Sequence, residues 1–190
     1  MKRLNGKKVA ILATNGFEYS ELMEPRKALE NAGAQVDIVS LKTGEIKGWQ
    51  EGNWAKDTVK VTKTVQDAKA NDYNALILPG GVMNPDKLRT EKPVQQFVRD
   101  FFKMGKPVAA ICHAPWILID AGVVEGRKLT SYHTLRKDLE NAGANWVNEE
   151  VLVDKGLVTS RNPNDLPAFC NKMVEEIAEG VHEGQRQLVH

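Results

Sequence analysis

The chain has 190 residues, of which 42% are hydrophobic and 27% charged, and its formal net charge is +1. This length and composition predict one folded domain over residues 1–190 and exclude a disordered or fibrous protein. The near-zero charge removes the bulk attraction that draws basic proteins to nucleic acids and anionic membranes. We therefore expect neither as a partner.

The apolar runs of the chain, such as 75–78 and 108–111, are far shorter than the roughly 20 residues that a membrane-spanning helix needs. Polar and charged residues follow the N-terminal Met-Lys-Arg where a signal peptide would have its apolar segment, so we expect a cytoplasmic protein. Only Cys112 and Cys170 are cysteines, and no histidine has zinc-site spacing. The sequence therefore suggests neither a disulfide framework nor a metal site.

The first part of the chain alternates strand and helix patterns. Residues 7–13 form a short apolar run typical of a strand buried on both faces, and 35–40 form a second strand. Between them, residues 20–32 place apolar side chains on one helical face. Residues 41–70 break the alternation with three glycines, two tryptophans and alternating valines. This pattern favours a loop and an edge strand outside the main sheet.

The second part of the chain continues the alternation as far as a polar C-terminal segment. Strands alternating with helices predict a layered α/β fold with a mostly parallel central sheet. Residues 180–190 show little periodicity and are predicted to form a flexible tail. The predicted elements are strands over 75–78 and 107–111, a hairpin over 151–159, and helices over 93–103, 115–121 and 166–179.

Cys112 stands between the predicted strand 107–111 and the predicted helix 115–121. This is the position of a nucleophile elbow, which holds a side chain above the carboxyl ends of the strands. A helix N-terminus also favours a thiolate, so the sequence predicts a lowered pKa for Cys112. From position alone, a small buried core residue is an equally good interpretation. Cys170, inside the last predicted helix, is predicted to be a core residue.

Two other strand ends are predicted to lie beside Cys112. Strand 75–78 is followed by a Gly pair, and the backbone amide of Gly81 is placed to share an oxyanion hole with the amide of His113. A plain Gly-Gly turn is the alternative. Glu18 follows the first strand in the same way, although most glutamates are solvated surface residues.

Six motifs of the sequence occur in the order of a known family. They are NGFEYSEL, LILPGG, NPDKLR, GKPVAAICHAPW, LTSYHTLRKDLENAGANWV and VTSRNPNDLPAFC. Together they resemble the PfpI branch of the DJ-1/PfpI superfamily, which is related to class I glutamine amidotransferases, and the resemblance covers about residues 7–173. It implies a flavodoxin-like three-layer α/β sandwich with a nucleophile elbow, assembled as a homodimer or homohexamer.

The resemblance also implies roles for individual residues. Cys112 is implied as the nucleophile, His113 as its partner, and Glu18 as the carboxyl group that contacts the thiol. Asp86 matches an acidic residue that the family's proteases donate across a subunit interface to complete a triad. Two departures from the family pattern are one extra residue between the Gly pair and Asp86, and Ala114 in place of the common glycine.

Four more residues are candidates to line a substrate pocket: Gly80, Trp116, His133 and Arg161. Trp116 is predicted either to lie at the edge of a pocket or to pack against other side chains. His133 is predicted either to line the pocket or to face solvent at the start of a helix. Arg161 is predicted either to bind an anionic group or to tie down its own loop, and the second role is favoured.

The family resemblance implies a cysteine-dependent, stress-protective enzyme that acts on reactive carbonyls, in the manner of glyoxalase III or a protein deglycase. Its site would comprise Cys112, His113 and Glu18, with a small carbonyl compound or a peptide as substrate and no cofactor. Two alternatives stay open. One is an intracellular cysteine peptidase or amidase of the PfpI type, and the other is a non-enzymatic redox-sensing stress protein with an oxidisable Cys112.

Overall fold

A computed structural model describes residues 3–186, and its centre is a seven-stranded sheet. The strands are β1 (Lys8–Leu12), β2 (Gln35–Ser40), β3 (Glu45–Gln50), β4 (Asn53–Lys60), β5 (Lys63–Thr64), β6 (Ala75–Leu78), β7 (Val108–Ile111), β8 (Lys128–Leu129), β9 (Asn145–Trp146), β10 (Val151–Asp154) and β11 (Leu157–Ser160). The helices are α1 (Tyr19–Asn31), α2 (Met83–Arg89), α3 (Lys92–Lys103), α4 (Pro115–Asp120), α5 (Arg136–Asn141), α6 (Leu166–Glu179) and α7 (Glu183–Arg186).

The strands of the central sheet follow the order β10-β11-β7-β6-β1-β2-β5. Every neighbouring pair in it is parallel except β10 and β11, which form an antiparallel hairpin. Helices cover both faces, so the sheet lies in the middle of three layers. The predicted flavodoxin-like α/β sandwich with a mostly parallel sheet is confirmed.

Strand β1 shows why both faces of the sheet are buried. Its side chains alternate between two cores: Ala10 and Leu12 face one, and Val9 and Ile11 face the other. Helices α3 and α4 cover the first core, and α1 and α6 cover the second. The carboxyl ends of β1, β6 and β7 therefore meet at one edge, where ligands bind in folds of this class.

Residues 41–70 contain more regular structure than the sequence predicts. Strands β3 and β4 form a hairpin outside the main sheet, while β5 is the edge strand of that sheet. The hairpin turn consists of Glu51 and Gly52, which both have positive φ, at 49° and 79°. A two-residue turn of this kind matches the twist of its flanking strands. Helices α2 and α5 are also absent from the prediction, because each has only two turns or fewer.

The C-terminal segment packs against the body of the protein as far as it is described. Residues 180–186 were predicted to belong to a flexible tail, but Gln185 is fully buried and its side chain donates a hydrogen bond to the Lys106 carbonyl. The rest of the predicted tail, 187–190, lies outside the described residues. Over residues 3–186, every helix is too short or too polar to cross a bilayer.

Candidate active site

Cys112 lies between β7 and α4 with a left-handed backbone conformation. Its φ is +64°, which typically costs a non-glycine residue about 1–3 kcal/mol. Neighbouring segments hold it there: the Cys112 N–H donates to the Ser160 carbonyl at 3.1 Å, and the Tyr132 N–H donates to the Cys112 carbonyl at 2.9 Å. The strained strand-to-helix turn is the predicted nucleophile elbow.

A carboxyl group from α1 lies beside the thiol. Glu21 is fully buried, and its Oε2 accepts a hydrogen bond of 2.9 Å from the Gly80 N–H. Its Oε1 is buried as well and has no conventional hydrogen-bond partner among residues 3–186. Burial raises the pKa of Glu21 to about 8, and the negative charge of Glu18 acts in the same direction. At neutral pH, Glu21 is therefore a carboxylic acid with a proton to give.

The family resemblance implies Glu18 as the carboxyl group that contacts the thiol, and the structure corrects this. Glu18 is the residue before α1, and its Oε1 accepts a hydrogen bond of 3.3 Å from the Ser20 hydroxyl. It is partly exposed, whereas Glu21, three residues later, points into the protein. Among residues 3–186, the Cys112 thiol hydrogen-bonds with the carboxyl group of Glu21, whereas Glu18 contacts Ser20.

The environment of the thiol contradicts the prediction of a lowered pKa. Burial raises the pKa of Cys112, and the carboxylate form of Glu21 raises it further, whereas the N–H groups of Gly81 and His113 act in the opposite direction. Only 6% of Cys112 is exposed, and α4 has six residues, so desolvation outweighs the helix terminus. The resting site therefore holds a neutral thiol beside a neutral acid.

His113 provides a base next to the thiol. Its Nδ1 lies 3.1 Å from Cys112 Sγ, and its ring stacks on Tyr132 with centroids 4.6 Å apart. Burial lowers the pKa of His113, and the nearby His133 lowers it further. The imidazole is consequently neutral at neutral pH and has one nitrogen free to accept a proton.

Asn84 was not singled out from the sequence, although it organises the loops around the site. It is fully buried, and its side-chain amide donates to the carbonyls of Pro79 and Gly80 at 2.9 and 3.2 Å. Its Oδ1 accepts a hydrogen bond of 2.7 Å from the Thr14 N–H. One side chain thus ties the end of β1 to the Gly pair after β6, which keeps the Gly80 amide directed at Glu21.

Gly80 has no room for a side chain. A Cβ there would lie 2.5 Å from Glu21 Oε2 and 2.7 Å from both the Cys112 Cβ and the Ile111 carbonyl oxygen. We expect Gly80→Ala to displace Glu21 from the thiol and to lower the free energy of unfolding by roughly 1–3 kcal/mol. Denaturant unfolding measures the change, and an unaltered midpoint would mean that the loop adapts without strain.

The buried acid also predicts how stability depends on pH. The pKa of Glu21 is raised in the folded protein from an ordinary value of 4.5 to about 8. Between these two pH values the Glu21 carboxyl group binds more protons in the folded state than in the unfolded state. Its contribution to the free energy of unfolding is therefore complete below pH 4.5 and is lost as the pH rises through about 8. In Glu21→Gln we expect stability to decrease less as the pH rises, because the titrating group is absent. Thermal unfolding measured at several pH values from about 5 to 8.5 tests this expectation. A profile of the same slope in both proteins would contradict the raised pKa.

The predicted pocket residues Trp116 and His133 lie near His113. Trp116 packs edge-on against the His113 ring with centroids 5.2 Å apart, and its indole N–H donates to Asp138 at 2.9 Å. His133 is exposed, and its ring centroid lies 4.5 Å from that of Tyr132, which in turn stacks on His113. Both residues are therefore close enough to border a substrate, but neither contacts the sulfur in the hydrogen-bond network of residues 3–186.

Arg161 is occupied by its own loop. Its Nε and Nη2 donate to both carboxylate oxygens of Asp165 at 2.9 Å, and its Nη1 donates to Asn148 at 3.0 Å. This bidentate pairing supports the favoured structural role, because the donors that would bind an anionic group are already taken.

Asp86 forms no hydrogen bond or ion pair with His113 within residues 3–186. It is exposed in the first turn of α2, and its side chain forms no hydrogen bond with another residue in the range 3–186. The triad predicted from the resemblance would need Asp86 from a neighbouring subunit, and this remains a prediction.

Comparison with known proteins agrees with the fold. Residues 7–176 match the model of the DJ-1/PfpI family. Protein/nucleic acid deglycase 2 of Escherichia coli is 43% identical over 164 residues, which is 86% of this chain and 93% of that protein. YraA of Bacillus subtilis, which carries the provisional name of a cysteine protease, is 43% identical over 163 residues, or 86% of this chain and 94% of that protein.

Among solved structures, Drosophila melanogaster DJ-1beta superposes with a TM-score of 0.81 at 28% identity, and the match covers 96% of this chain and 95% of that one. Sequence and structure thus agree along nearly the whole length. The chain belongs to the DJ-1/PfpI family.

Proposed function

We propose that this protein is a cysteine-dependent deglycase that removes 2-oxoaldehyde adducts from protein side chains and releases a hydroxy acid. The observation that carries the proposal is the arrangement of three side chains: the buried carboxyl group of Glu21 lies next to Cys112, whose Sγ is 3.1 Å from His113 Nδ1. Burial raises the pKa of Glu21 to about 8, which makes this carboxyl group a proton donor at neutral pH. The deglycase name of the Escherichia coli relative supports this substrate class.

The first step is attack by sulfur. His113 Nδ1 takes the thiol proton while Sγ bonds to the aldehyde-derived carbon of the adduct. The bond from that carbon to the side-chain nitrogen breaks, and the nitrogen takes the proton of the neutral Glu21 carboxyl group and leaves as the free amine or guanidine, so Glu21 becomes a carboxylate. The product on the enzyme is a hemithioacetal, with the ketone carbon still intact beside it.

The second step is an internal transfer of hydrogen, for which Glu21 is placed. The Glu21 carboxylate formed in the first step takes the proton from the hemithioacetal carbon and returns it to the neighbouring ketone carbon, while the hydroxyl proton moves from the first oxygen to the second. The first carbon is thereby oxidised to a thioester and the second is reduced to an alcohol. Water then cleaves the thioester: the protonated His113 returns its proton to the sulfur, and the released hydroxy acid returns a proton to Glu21. The oxidation and the reduction balance within the substrate, so no external oxidant or cofactor enters.

The backbone amides of Gly81 and His113 support both steps. Each lowers the pKa of Cys112 by hydrogen bonding, so each points to the place where sulfur carries negative charge. An oxyanion on the attacked carbon forms within bonding distance of that sulfur, and each donor of this kind is worth about 10²–10³ in rate. This supports the oxyanion hole proposed for these two amides.

A deglycase must be distinguished from a glyoxalase that only consumes free aldehyde released by spontaneous dissociation. We would follow a methylglyoxal-modified peptide by mass spectrometry at increasing protein concentration. A deglycase increases the rate of peptide recovery in proportion to its concentration. A rate that reaches a plateau at the spontaneous dissociation rate of the adduct would contradict the proposal and favour glyoxalase activity.

The peptidase alternative rests on the provisional name of YraA and needs a different arrangement. Peptide hydrolysis requires His113 to be oriented by an acid, and the nearest hydrogen-bonding group at its Nε2 is the Thr134 hydroxyl at 3.5 Å. Cleavage of an unstructured peptide that is lost in Asp86→Ala would favour this alternative. The redox-sensing alternative uses the same thiol and acid, and no separate observation favours it.

A further inference from the structure

Three side chains with metal-binding atoms converge where α6 ends. Glu176 and Glu179 lie one turn apart on the helix, and Gly180, with a φ of +95°, turns the chain so that His182 returns over the last turn. One ligand atom from each side chain lies within 4.8 Å of the others. The Nε2 of His182 is 3.4 Å from Glu176 Oε2.

The carboxyl group of Glu176 is the unusual member of this cluster. Glu176 is only 7% exposed, and its one salt-bridge partner among residues 3–186 is His182, which belongs to the same cluster. A carboxylate that is this deeply buried needs compensating partners, and a cation held between the two glutamates and the histidine would supply them.

His182 is held in position by two segments outside α6. Its backbone N–H donates to the Gly105 carbonyl at 2.7 Å. Its ring packs on Gly156 in the turn between β10 and β11, where an added Cβ would lie 2.8 Å from the His182 Cδ2. The imidazole is therefore fixed by two other segments, so it does not need to be ordered when a ligand arrives.

We propose that Glu176, Glu179 and His182 bind a divalent transition-metal ion, and that this ion is zinc. One imidazole nitrogen and two carboxylate oxygens suit zinc, whereas calcium and magnesium prefer oxygen ligands alone. Water completes the coordination of an ion with three protein ligands. The sequence does not suggest this zinc site because only one of the proposed ligands is a histidine and the other two are glutamates.

The proposed zinc site is separate from the candidate active site. Gly105 and Gly156 precede β7 and β11, so His182 lies at the amino ends of these strands, whereas Cys112 follows the carboxyl end of β7. The four residues of β7 alone span about 13 Å. Zinc here is consequently no part of the carbonyl chemistry.

The role of the ion would be to fasten the C-terminal segment. That segment covers Arg127, a fully buried residue whose guanidinium donates to the carbonyls of Gln185 and Asp154 at 3.1 and 3.0 Å. An ion that joins His182 to the glutamates of α6 holds the segment over this arginine. Zinc binding is thus linked to the stability of the whole fold.

To test the proposal, we would treat the protein with a chelator and titrate it with Zn²⁺. Calorimetry measures the binding, and thermal unfolding measures its effect on Tm. We expect one site, and a rise in Tm of roughly 5–10 °C when free zinc is about 100 times Kd. His182→Gln and the exposed Glu179→Gln should each weaken binding at least ~10-fold. Glu175→Gln is the matched control, since it removes the same charge from the same helix without removing a ligand, and its affinity should stay unchanged.

Cobalt substitution distinguishes this site from the thiol. Co²⁺ bound by nitrogen and oxygen lacks the charge-transfer absorption of a thiolate complex. Binding that shows this absorption and disappears in Cys112→Ser would overturn the proposal, because the metal would then occupy the candidate active site. Equal zinc affinity in the wild type and in His182→Gln, or no binding by the wild type, would overturn it as well.

Discussion

Cys112→Ser is expected to lower kcat/KM for recovery of a methylglyoxal-modified peptide by at least ~10³-fold. Serine is nearly isosteric and can keep the +64° φ of the elbow and both backbone hydrogen bonds of residue 112. Its hydroxyl is a far weaker nucleophile than a thiol when the base is a neutral imidazole. We therefore expect the variant to fold normally and to lose its activity. Steady-state kinetics measures the activity, and far-UV circular dichroism measures the secondary structure.

Cys170 provides the matched control for this experiment. It lies on α6, and burial raises the pKa of its thiol to about 12, with the charge of Glu24 acting in the same direction. Cys170→Ser should therefore leave turnover within about twofold of the wild type. Full activity in Cys112→Ser, or an equal loss in both variants, would refute the assignment of the nucleophile.

Glu21→Gln is expected to lower kcat by roughly 10²–10⁴-fold, because an amide cannot transfer a proton between two carbons. Glutamine is close in size to the carboxylic acid, and its amide oxygen can still accept the hydrogen bond from Gly80. The loss would therefore report proton transfer and not a collapsed site. Single-turnover kinetics on the modified peptide measures it.

Glu18→Gln is the matched control, since it makes the same chemical change three residues earlier. Glu18 contacts Ser20 and affects Glu21 only through its charge, so turnover should change less than about tenfold. Removing that charge should also lower the pKa of Glu21, which would move any loss of activity at high pH to a lower pH. A larger loss in Glu18→Gln than in Glu21→Gln would restore the assignment made from the sequence.

The sequence was sufficient to predict the elbow but not the acid. An apolar strand, Cys112 and then Pro115 at the first position of a helix predict a strand-to-helix turn directly. The segment NGFEYSEL contains two glutamates, and the family resemblance was used to assign the contact with the thiol to the first of them, Glu18. A signal for the second existed, since Glu21 precedes the buried Pro25 and Leu29 by four and eight residues and so lies on the buried face of α1.

Tertiary contacts explain the other differences. The turn at Glu51 and Gly52 has one glycine where hairpins of this type commonly carry Asn-Gly, so its signal is weak. The segment 180–186 has little hydrophobic periodicity because it is held by polar contacts to Arg127, Lys106 and Gly105. Contacts of this kind between distant residues cannot be deduced from local pattern.

Direct titration of the Glu21 carboxyl group tests most directly whether a neutral acid stands beside the thiol. Carbon-13 NMR of protein labelled at glutamate carboxyl carbons follows each group as pH changes, and comparison with Glu21→Gln identifies the resonance of Glu21. We predict a midpoint near the pKa of about 8 given by the structure, and a protonated group at neutral pH. A midpoint near the ordinary value of 4.5 would show an ionised carboxylate and contradict the proposed role of Glu21 as the acid.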